Sequence, residues 1–347
     1  MKILYNLLTN SSIDCILESR EIVRKEKEEA TMGKRLQIKD TDLSICPLGF
    51  GTVNAGLDWD GQDAFDILES YVDQGGNLID TARIYFDFVG TEIARSERVI
   101  GQWLKHRGKR DDLVIITKGG HPPKEDLHHS RMSKADMEYD INASLQKLGI
   151  DEIDIYFYHR DDKNQPVSDL IDLMEEFRRQ GKIRYYACSN WNAERMAEAD
   201  AYAKSKGYRG FIANQMLYNI GSKYMKPFSD DTMEAMDDKM LTYHKANPQN
   251  LAMPYFGVCS GFFHIADAKG LDAVKDSPYY TEKNLEIVKK VNQLREKYNA
   301  SISQILLGFF YTREFHCVPL YGPQNPEQLK DAMGALEINF DPQDFIF

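Results

Sequence analysis

The feature that most constrains this chain is a regular alternation of short apolar runs with longer amphipathic stretches. The stretches carry apolar residues at helical spacing. In one of them Ser133 is predicted to cap a helix, Asp136 to complete a capping box, and Gly149 to end the helix. The runs are almost continuously apolar, as in strands covered on both faces, and lie at 47–51, 77–80, 113–118, 153–159, 183–189, 210–215, 251–256 and 316–322.

A strand and then a helix, repeated eight times in about 300 residues, predicts an α/β fold of the (β/α)8 TIM-barrel type. The rival is a doubly wound sheet, but "GFGTVNAG" after the first strand lacks the G-x-G-x-x-G spacing. Upstream, "RLQI" and "LSIC" flank the polar turn "KDTD", which predicts an N-terminal β-hairpin that closes the bottom of the barrel. Residues 219–250 are polar and have no clear period, so a long loop or irregular insertion is predicted there.

The first 31 residues differ from the rest of the chain. They contain a short, interrupted apolar stretch and the charged run "REIVRKEKEEAT", neither of which is typical of a secretion signal. We predict that residues 1–31 are an extension outside the fold and that residues 32–347 form one barrel domain.

Charge and cysteine content exclude several classes of protein. The net charge of −11 argues against partners that bind through bulk positive charge, namely nucleic acid and anionic membranes. No apolar run approaches the roughly 20 residues that span a bilayer. The five cysteines are odd in number and form no CxxC pair, which predicts reduced thiols and a cytoplasmic location.

Polar and charged residues recur where the predicted strands end. In this kind of barrel the chemistry belongs at the carboxyl ends of the strands. Each residue alone is explained as well by a turn, a solvated strand end or a satisfied core histidine, but together on one rim they predict a site. The strand-end residues are Gly51, Asp80, Lys118, His159, Ser189, Asn190, Gln215, Tyr255 and Gly322.

Four of the side chains near this rim can together bind a carbonyl group and protonate its oxygen while the group is reduced. A lysine ammonium lowers the pKa of a nearby phenol, so Lys118 is expected to lower the pKa of Tyr85. Asp80 can pair with Lys118, and His159 can donate a hydrogen bond to a substrate oxygen. This gives a proton donor for a developing alkoxide without a metal ion, while the hydride must come from a cofactor.

Several ordered segments resemble the aldo-keto reductase family. They are "GGNLIDTARIY…SERVIGQWL", "LVIITK", "IDIYFYHRDD", "GKIRYYACSNW", "PYFGVCSG" and "VPLYGPQNPEQL", and they cover about residues 35 to 340. The resemblance implies that Asp80, Tyr85, Lys118 and His159 form the catalytic tetrad, with Tyr85 as the general acid. It also implies an NAD(P)(H)-dependent oxidoreductase that reduces an aldehyde or ketone to an alcohol.

The same resemblance implies the cofactor contacts. Ser189, Asn190 and Gln215 would hold the nicotinamide amide and Tyr255 would stack on its ring. The remaining predicted cofactor-binding residues are Gly51, Thr52, Gly261, Gly322, Gln324 and Gln328. Asn325 is a good N-cap for the helix after the last strand, and such a helix start suits a phosphate.

Family habit places NADP(H) ahead of NAD(H), although Gln324 stands where a basic residue is common and Lys330 is the only nearby cation. A small carbonyl compound is the predicted substrate, with a keto-sugar or polyol favoured. Phe86 and Phe88 would border the pocket or pack on the barrel. Further pocket contacts are predicted for Arg160, Trp191, Asn192, Tyr218 and Asn219.

Two other functions stay open at this point. One is a cofactor-sensing subunit, which could lose Tyr85 without penalty. The other is a metal-dependent hydrolase, which ranks last because few ligands lie at the strand ends. His121, His128 and His129 cluster in one loop, and for them a polar active-site loop is predicted over a metal site. The oligomeric state is not predicted.

Overall fold

The structure is a computed structural model that describes residues 35–85, 87, 89–90 and 92–347. The predicted extension of residues 1–31 and the predicted roles of Phe86 and Phe88 lie outside the described residues. That residues 32–347 form one domain therefore stays a prediction.

Eight parallel strands form a closed barrel, and a short hairpin precedes them. The strands are β1 (Leu36–Gln37), β2 (Ser44–Ile45), β3 (Gly49–Gly51), β4 (Leu78–Asp80), β5 (Val114–Gly119), β6 (Ile153–Tyr158), β7 (Ile183–Ser189), β8 (Ala213–Gln215), β9 (Leu251–Ala252) and β10 (Leu320–Tyr321).

The strand pairing closes the barrel. In the sheet, β10 pairs with β3 and each strand from β3 to β8 pairs with the next. The circle closes where Ala252 of β9 accepts a hydrogen bond from Val318 over 2.9 Å and donates one to His316 over 3.2 Å. The (β/α)8 barrel and its N-terminal hairpin are thereby confirmed.

Helices surround the strands, and the last one packs against the first, so the outer ring closes as well. None of the described helices is long and apolar enough to cross a membrane. The helices are α1 (Gly61–Asp73), α2 (Arg95–Arg107), α3 (Lys134–Leu148), α4 (Val167–Arg179), α5 (Ala193–Lys206), α6 (Asp238–Ala246), α7 (Phe262–Lys269), α8 (Glu282–Tyr298), α9 (Ile302–Tyr311) and α10 (Pro326–Met333).

Helix α3 begins and ends where its sequence predicted. The Ser133 side chain accepts a hydrogen bond from the Asp136 amide, and Gly149 follows in the left-handed region at φ 68°. The predicted capping box is wrong, however, because the Asp136 carboxylate accepts from the Ser133 hydroxyl and not from its backbone N–H. A reciprocal box forms at α9 instead, between Ser301 and Gln304.

The predicted irregular insertion at 219–250 is wrong in part. It contains a 3₁₀ turn at Ser222–Tyr224 and the helix α6. Asp237 caps α6, and the helix buries Met240, Tyr243 and His244 against the barrel. These three positions follow helical spacing, but the polar residues around them hide the pattern in the sequence.

The barrel interior is a packed apolar core. Its bottom is covered by Ile38, Leu43 and Ile45 of the hairpin, all at most 3% exposed. The hairpin thus closes the amino-terminal end of the strands, and the carboxyl end is left for the site. The strand residues of this core include Leu78, Val114, Ile116, Ile155, Phe157, Ala187, Leu251 and Leu320.

Candidate active site

Asp80, Tyr85 and Lys118 meet at the carboxyl end of the barrel. Asp80 ends β4, Lys118 lies near the end of β5, and Tyr85 follows β4 in a turn. The Lys118 ammonium donates to both Asp80 carboxylate oxygens over 2.8 Å and to the Tyr85 hydroxyl over 2.7 Å. Tyr85 in turn donates to Asp80 over 3.0 Å. The adjacent strand ends therefore join residues that are up to 38 positions apart.

Burial dominates the electrostatics of these groups. Asp80 and Lys118 are each 1% exposed, and burial lowers the pKa of Lys118 although Asp80 opposes the shift. Burial also raises the pKa of Tyr85 well above its usual value, and the Asp80 charge adds to the rise. The expectation of a lowered pKa for Tyr85 is therefore wrong for the net shift, because loss of hydration outweighs the lowering effect of the Arg160 charge. Tyr85 is a protonated phenol in this structure.

His159 follows β6 and faces Tyr85. Its backbone N–H donates to the Gly119 carbonyl over 2.9 Å, and its ring lies edge-on to the Tyr85 ring with centroids 5.9 Å apart. Burial, followed by the charges of His121, Arg160 and Lys118, lowers the pKa of His159 well below its usual value, so the ring is neutral. Its Nδ1 is buried without a hydrogen-bond partner among the described residues. An unpaired lone pair is easier to bury than an unpaired N–H, which favours the proton on Nε2.

Ser189, Asn190 and Gln215 end the next two strands beside the tetrad. The Gln215 side-chain amide donates to Asp80 over 2.7 Å, while its side-chain oxygen Oε1 accepts no hydrogen bond from the described residues. Asn190 donates to Ser189 over 2.9 Å and accepts from the Tyr255 hydroxyl over 2.6 Å. The left-handed backbone of Asn190, at φ 64°, turns this residue over the barrel mouth.

The free side-chain oxygen of Gln215 fits a nicotinamide carboxamide. A carboxamide carries one acceptor and two donors, and it needs an acceptor such as this Oε1. Ser189 and Asn190 lie beside Gln215, and Tyr255 supplies an aromatic ring. The donors of Ser189 and Asn190 bond within the protein: Asn190 donates to the His159 carbonyl and to Ser189, and the Ser189 hydroxyl donates to the Gln215 carbonyl.

The remaining predicted cofactor residues lie on the same rim. Gly51 of β3 and Gly322 after β10 approach so closely that a Cβ on Gly322 would lie 3.4 Å from the Gly51 carbonyl oxygen. Thr52 is fully buried, and its hydroxyl donates to the Asp80 carbonyl over 2.8 Å, so it supports Asp80. Gly261 precedes α7 in the left-handed region.

At the start of α10, Gln324 and Gln328 bond to one another. The Gln324 amide donates to the Gln328 side chain over 2.9 Å, and Asn325 caps the helix by accepting from the Gln328 amide over 2.8 Å. The capped helix start is thus present as predicted, with Gln324 and Lys330 exposed near it.

Other predicted contacts are not brought to the site. Trp191 is fully buried and stacks on core aromatic rings, Asn192 caps α5, and Tyr218 packs on Phe309. Asn219 bonds to the Phe256 carbonyl and the Tyr279 hydroxyl. The prediction for Trp191 is wrong, because proximity in sequence to a strand end does not fix the direction of a side chain. Those for Asn192, Tyr218 and Asn219 stay predictions.

The three loop histidines separate. His128 and His129 are exposed, and His128 lies 3.3 Å from Asp231, whereas His121 packs against His159. Across the part of the chain that the structure describes, no three His, Cys, Asp or Glu side chains are grouped to hold a metal ion.

Sequence reasoning missed the partners of Arg160. Its guanidinium donates to Asp230 over 3.0 Å, to Thr232 over 2.9 Å and to the His159 carbonyl over 3.0 Å. The signal available in the sequence was the charge of Arg160 next to His159, but its counterion lies 70 positions away.

Comparison with known proteins gives one family. Residues 47–346 match the family model described as the Aldo/keto reductase family. The chain is 26% identical to an aryl-alcohol dehydrogenase of Pestalotiopsis microspora, over 89% of this chain and 79% of that protein. It is 25% identical to the uncharacterized oxidoreductase YrpG of Bacillus subtilis (strain 168), over 87% and 91% of the two chains. It is 24% identical to an aryl-alcohol dehydrogenase [NADP(+)] of Phanerodontia chrysosporium, over 88% and 82%.

Proposed function

The chain belongs to the aldo/keto reductase family and is an oxidoreductase, and from that premise we propose that it reduces a small aldehyde or ketone to an alcohol with Tyr85 as the general acid. The observation that carries this proposal is the 2.7 Å contact between the Lys118 ammonium and the Tyr85 hydroxyl at the mouth of the barrel. NADP(H) is the proposed cofactor, which supplies the hydride when bound.

Tyr85 gives its proton to the oxygen of the substrate as negative charge develops there. Its raised pKa keeps the phenol protonated until that moment. The phenolate that remains lies next to the Lys118 ammonium, which stabilises it by direct charge contact. Asp80 keeps this ammonium in place through two hydrogen bonds of 2.8 Å.

His159 orients the carbonyl group. A neutral imidazole with its proton on Nε2 can donate a hydrogen bond to the substrate oxygen. Because the pKa of His159 lies well below its usual value, the ring carries no imidazolium proton that could compete with the Tyr85 phenol as the acid. The edge-on arrangement of the two rings lets both donors address the same oxygen.

The cofactor would be held by Ser189, Asn190 and Gln215 at its amide and by Tyr255 at its ring. The remaining proposed contacts run along the rim through Gly51, Gly261 and Gly322 to the start of α10. The cofactor in the name of one relative, the aryl-alcohol dehydrogenase [NADP(+)] of Phanerodontia chrysosporium, supports NADP(H) over NAD(H). Fluorescence titration of the protein with NADPH and NADH measures this directly, and tighter binding of NADH would reverse the order.

A Tyr85→Phe substitution tests the acid. It removes the hydroxyl and leaves the ring, so kcat for a panel of benzaldehydes, aliphatic aldehydes and sugars should fall by roughly 10²–10⁴-fold, while cofactor binding persists. Tyr139→Phe is the matched control, because Tyr139 is 63% exposed on α3, and it should leave kcat unchanged. Full activity in Tyr85→Phe would refute Tyr85 as the general acid, whereas cofactor binding without turnover of any carbonyl by the wild type would favour a sensing role.

A further inference from the structure

The loop after β5 places His121 beside the tetrad in a fixed orientation. β5 ends at Gly119, and Gly120 turns the chain in the left-handed region at φ 75°, with its amide held by Asp140 over 2.9 Å. The His121 ring then lies against the His159 ring, with centroids 4.8 Å apart and planes at 70°. The ring is half-buried at the edge of the proposed pocket.

Hydrogen bonding defines which ring nitrogen of His121 carries the proton. Nδ1 lies 2.7 Å from the Pro122 carbonyl oxygen, which can only accept, so Nδ1 must be the donor. Burial, with Arg160 as the next cause, lowers the pKa of His121 to about 4, and the ring is therefore neutral near pH 7. Nε2 then carries a lone pair, and it forms no hydrogen bond with any residue that the structure describes.

A polar cavity lies beyond Pro122, the residue that follows His121, and the His121 ring itself does not line it. It has a volume of about 270 Å³, and it shares Pro122 with the His121 loop and Asn190 with the proposed cofactor site. Thr232, which holds Arg160, and the carboxylates of Asp161 and Asp162 also line it. Such walls suit a hydroxylated substituent better than an apolar ring.

We propose that His121 Nε2 accepts a hydrogen bond from a hydroxyl group on the carbon next to the reacting carbonyl, so that α-hydroxy aldehydes and ketones are the preferred substrates. The proposal rests on the proposed function. Tyr85 and His159 donate to the carbonyl oxygen, and His121, whose ring packs on His159, brings an acceptor to the same place. A carbonyl compound without that hydroxyl leaves the Nε2 lone pair unpaired in a half-buried place, which costs binding energy.

The test compares 2-hydroxypropanal with propanal, two aldehydes that differ by this one hydroxyl. The measured quantity is the ratio of their kcat/KM values in the wild type and in variants, which removes differences in intrinsic reactivity. His121→Leu should lower the ratio about tenfold, since one hydrogen bond is lost. His121→Asn should restore much of the ratio, because its amide oxygen can accept.

His129→Leu is the matched control, since His129 is an exposed histidine of the same loop, and it should leave the ratio unchanged. An unchanged ratio in His121→Leu, with propanal reduction still abolished by Tyr85→Phe, would overturn the role of His121 and leave the proposed function standing. If the wild type reduces neither aldehyde, or if Tyr85→Phe keeps its rate, the proposed function fails and takes this inference with it.

Discussion

At the residue scale, hydrogen bonds from protein side chains replace the water that the Asp80 carboxylate loses on burial. It accepts from Lys118 at both oxygens, from Tyr85 and from Gln215, all within 3.0 Å. Burying two charges is costly unless the hydrogen bonds lost to water are replaced. Gln215 thus links the proposed cofactor pocket to the charge pair that holds Tyr85.

Glu97 of helix α2 is another buried carboxyl, and it contacts Thr117 of β5. Thr117 donates to one of its oxygens over 2.6 Å, the other oxygen has no hydrogen-bond partner among the described residues, and burial raises its pKa to about 7. Between about pH 4.5, where Glu97 titrates in the unfolded chain, and pH 7, the native state holds a proton that the unfolded state has released. The contribution of Glu97 to the free energy of unfolding therefore falls as the pH rises through this window.

Glu97→Gln, which cannot ionise, isolates this effect. From pH 4.5 to 7 the unfolding free energy of the wild type should fall relative to that of the variant by on the order of 3 kcal/mol. Urea unfolding at several pH values measures it. Parallel curves for the two proteins would mean that Glu97 is already ionised at low pH.

At the element scale, the segment of residues 226–234 lies across the barrel mouth and is held at several points. The Lys226 amide donates to Pro278 over 2.8 Å, the Phe228 ring meets Phe256 at 5.6 Å, and the Glu234 amide donates to Asn190 over 3.0 Å. Asp230 adds the ion pair with Arg160. These contacts connect the segment to residues that follow β6, β7 and β9.

Asp230→Ala tests the contribution of the ion pair. It leaves the buried Arg160 guanidinium without its counterion, so the free energy of unfolding should fall by about 1–3 kcal/mol. Asp231→Ala is the control, because the side chain of Asp231 is 71% exposed, and a surface change of this kind costs less than about 0.5 kcal/mol. Equal effects of the two substitutions in urea unfolding would show that the pair adds no stability.

At the scale of the whole molecule, the barrel is a closed core with one open end. Strand residues fill the interior, and the hairpin of β1 and β2 seals the amino-terminal end with three apolar side chains. At the opposite, carboxyl end of the strands, polar side chains such as Asp80 and Lys118 form the candidate site. The apolar residues that close the barrel and the polar residues of the candidate site therefore lie at opposite ends of the barrel axis.

Ile45→Ala measures the value of this seal. Ile45 is fully buried, so its truncation leaves a cavity and should cost about 2–5 kcal/mol of unfolding free energy. Ile93→Ala is the same change at a position that is 55% exposed, and it should cost less than about 0.5 kcal/mol. A small loss for Ile45→Ala would mean that the hairpin does not hold the barrel closed.

The sequence predicted those parts of the site that depend on local pattern. Asp80, Lys118 and His159 each end an apolar run, so a strand assignment alone put them on one rim. His121, by contrast, lies close in sequence to His128 and His129, so the sequence groups the three, whereas the fold separates them. The Asp230 counterion of Arg160 had no local signal, since loop conformation brings it back over 70 positions.

What the sequence determined by itself is the alternation of strands and helices, several of the helix ends, and the residue types at the strand ends. These follow from side-chain periodicity and backbone preferences that act within a few residues. Only the tertiary structure decided the direction of the Tyr85 pKa shift, the free Nε2 of His121 and the helix α6 within the polar stretch. Burial and charge contacts between distant segments set these properties, and a pattern along the chain does not contain them.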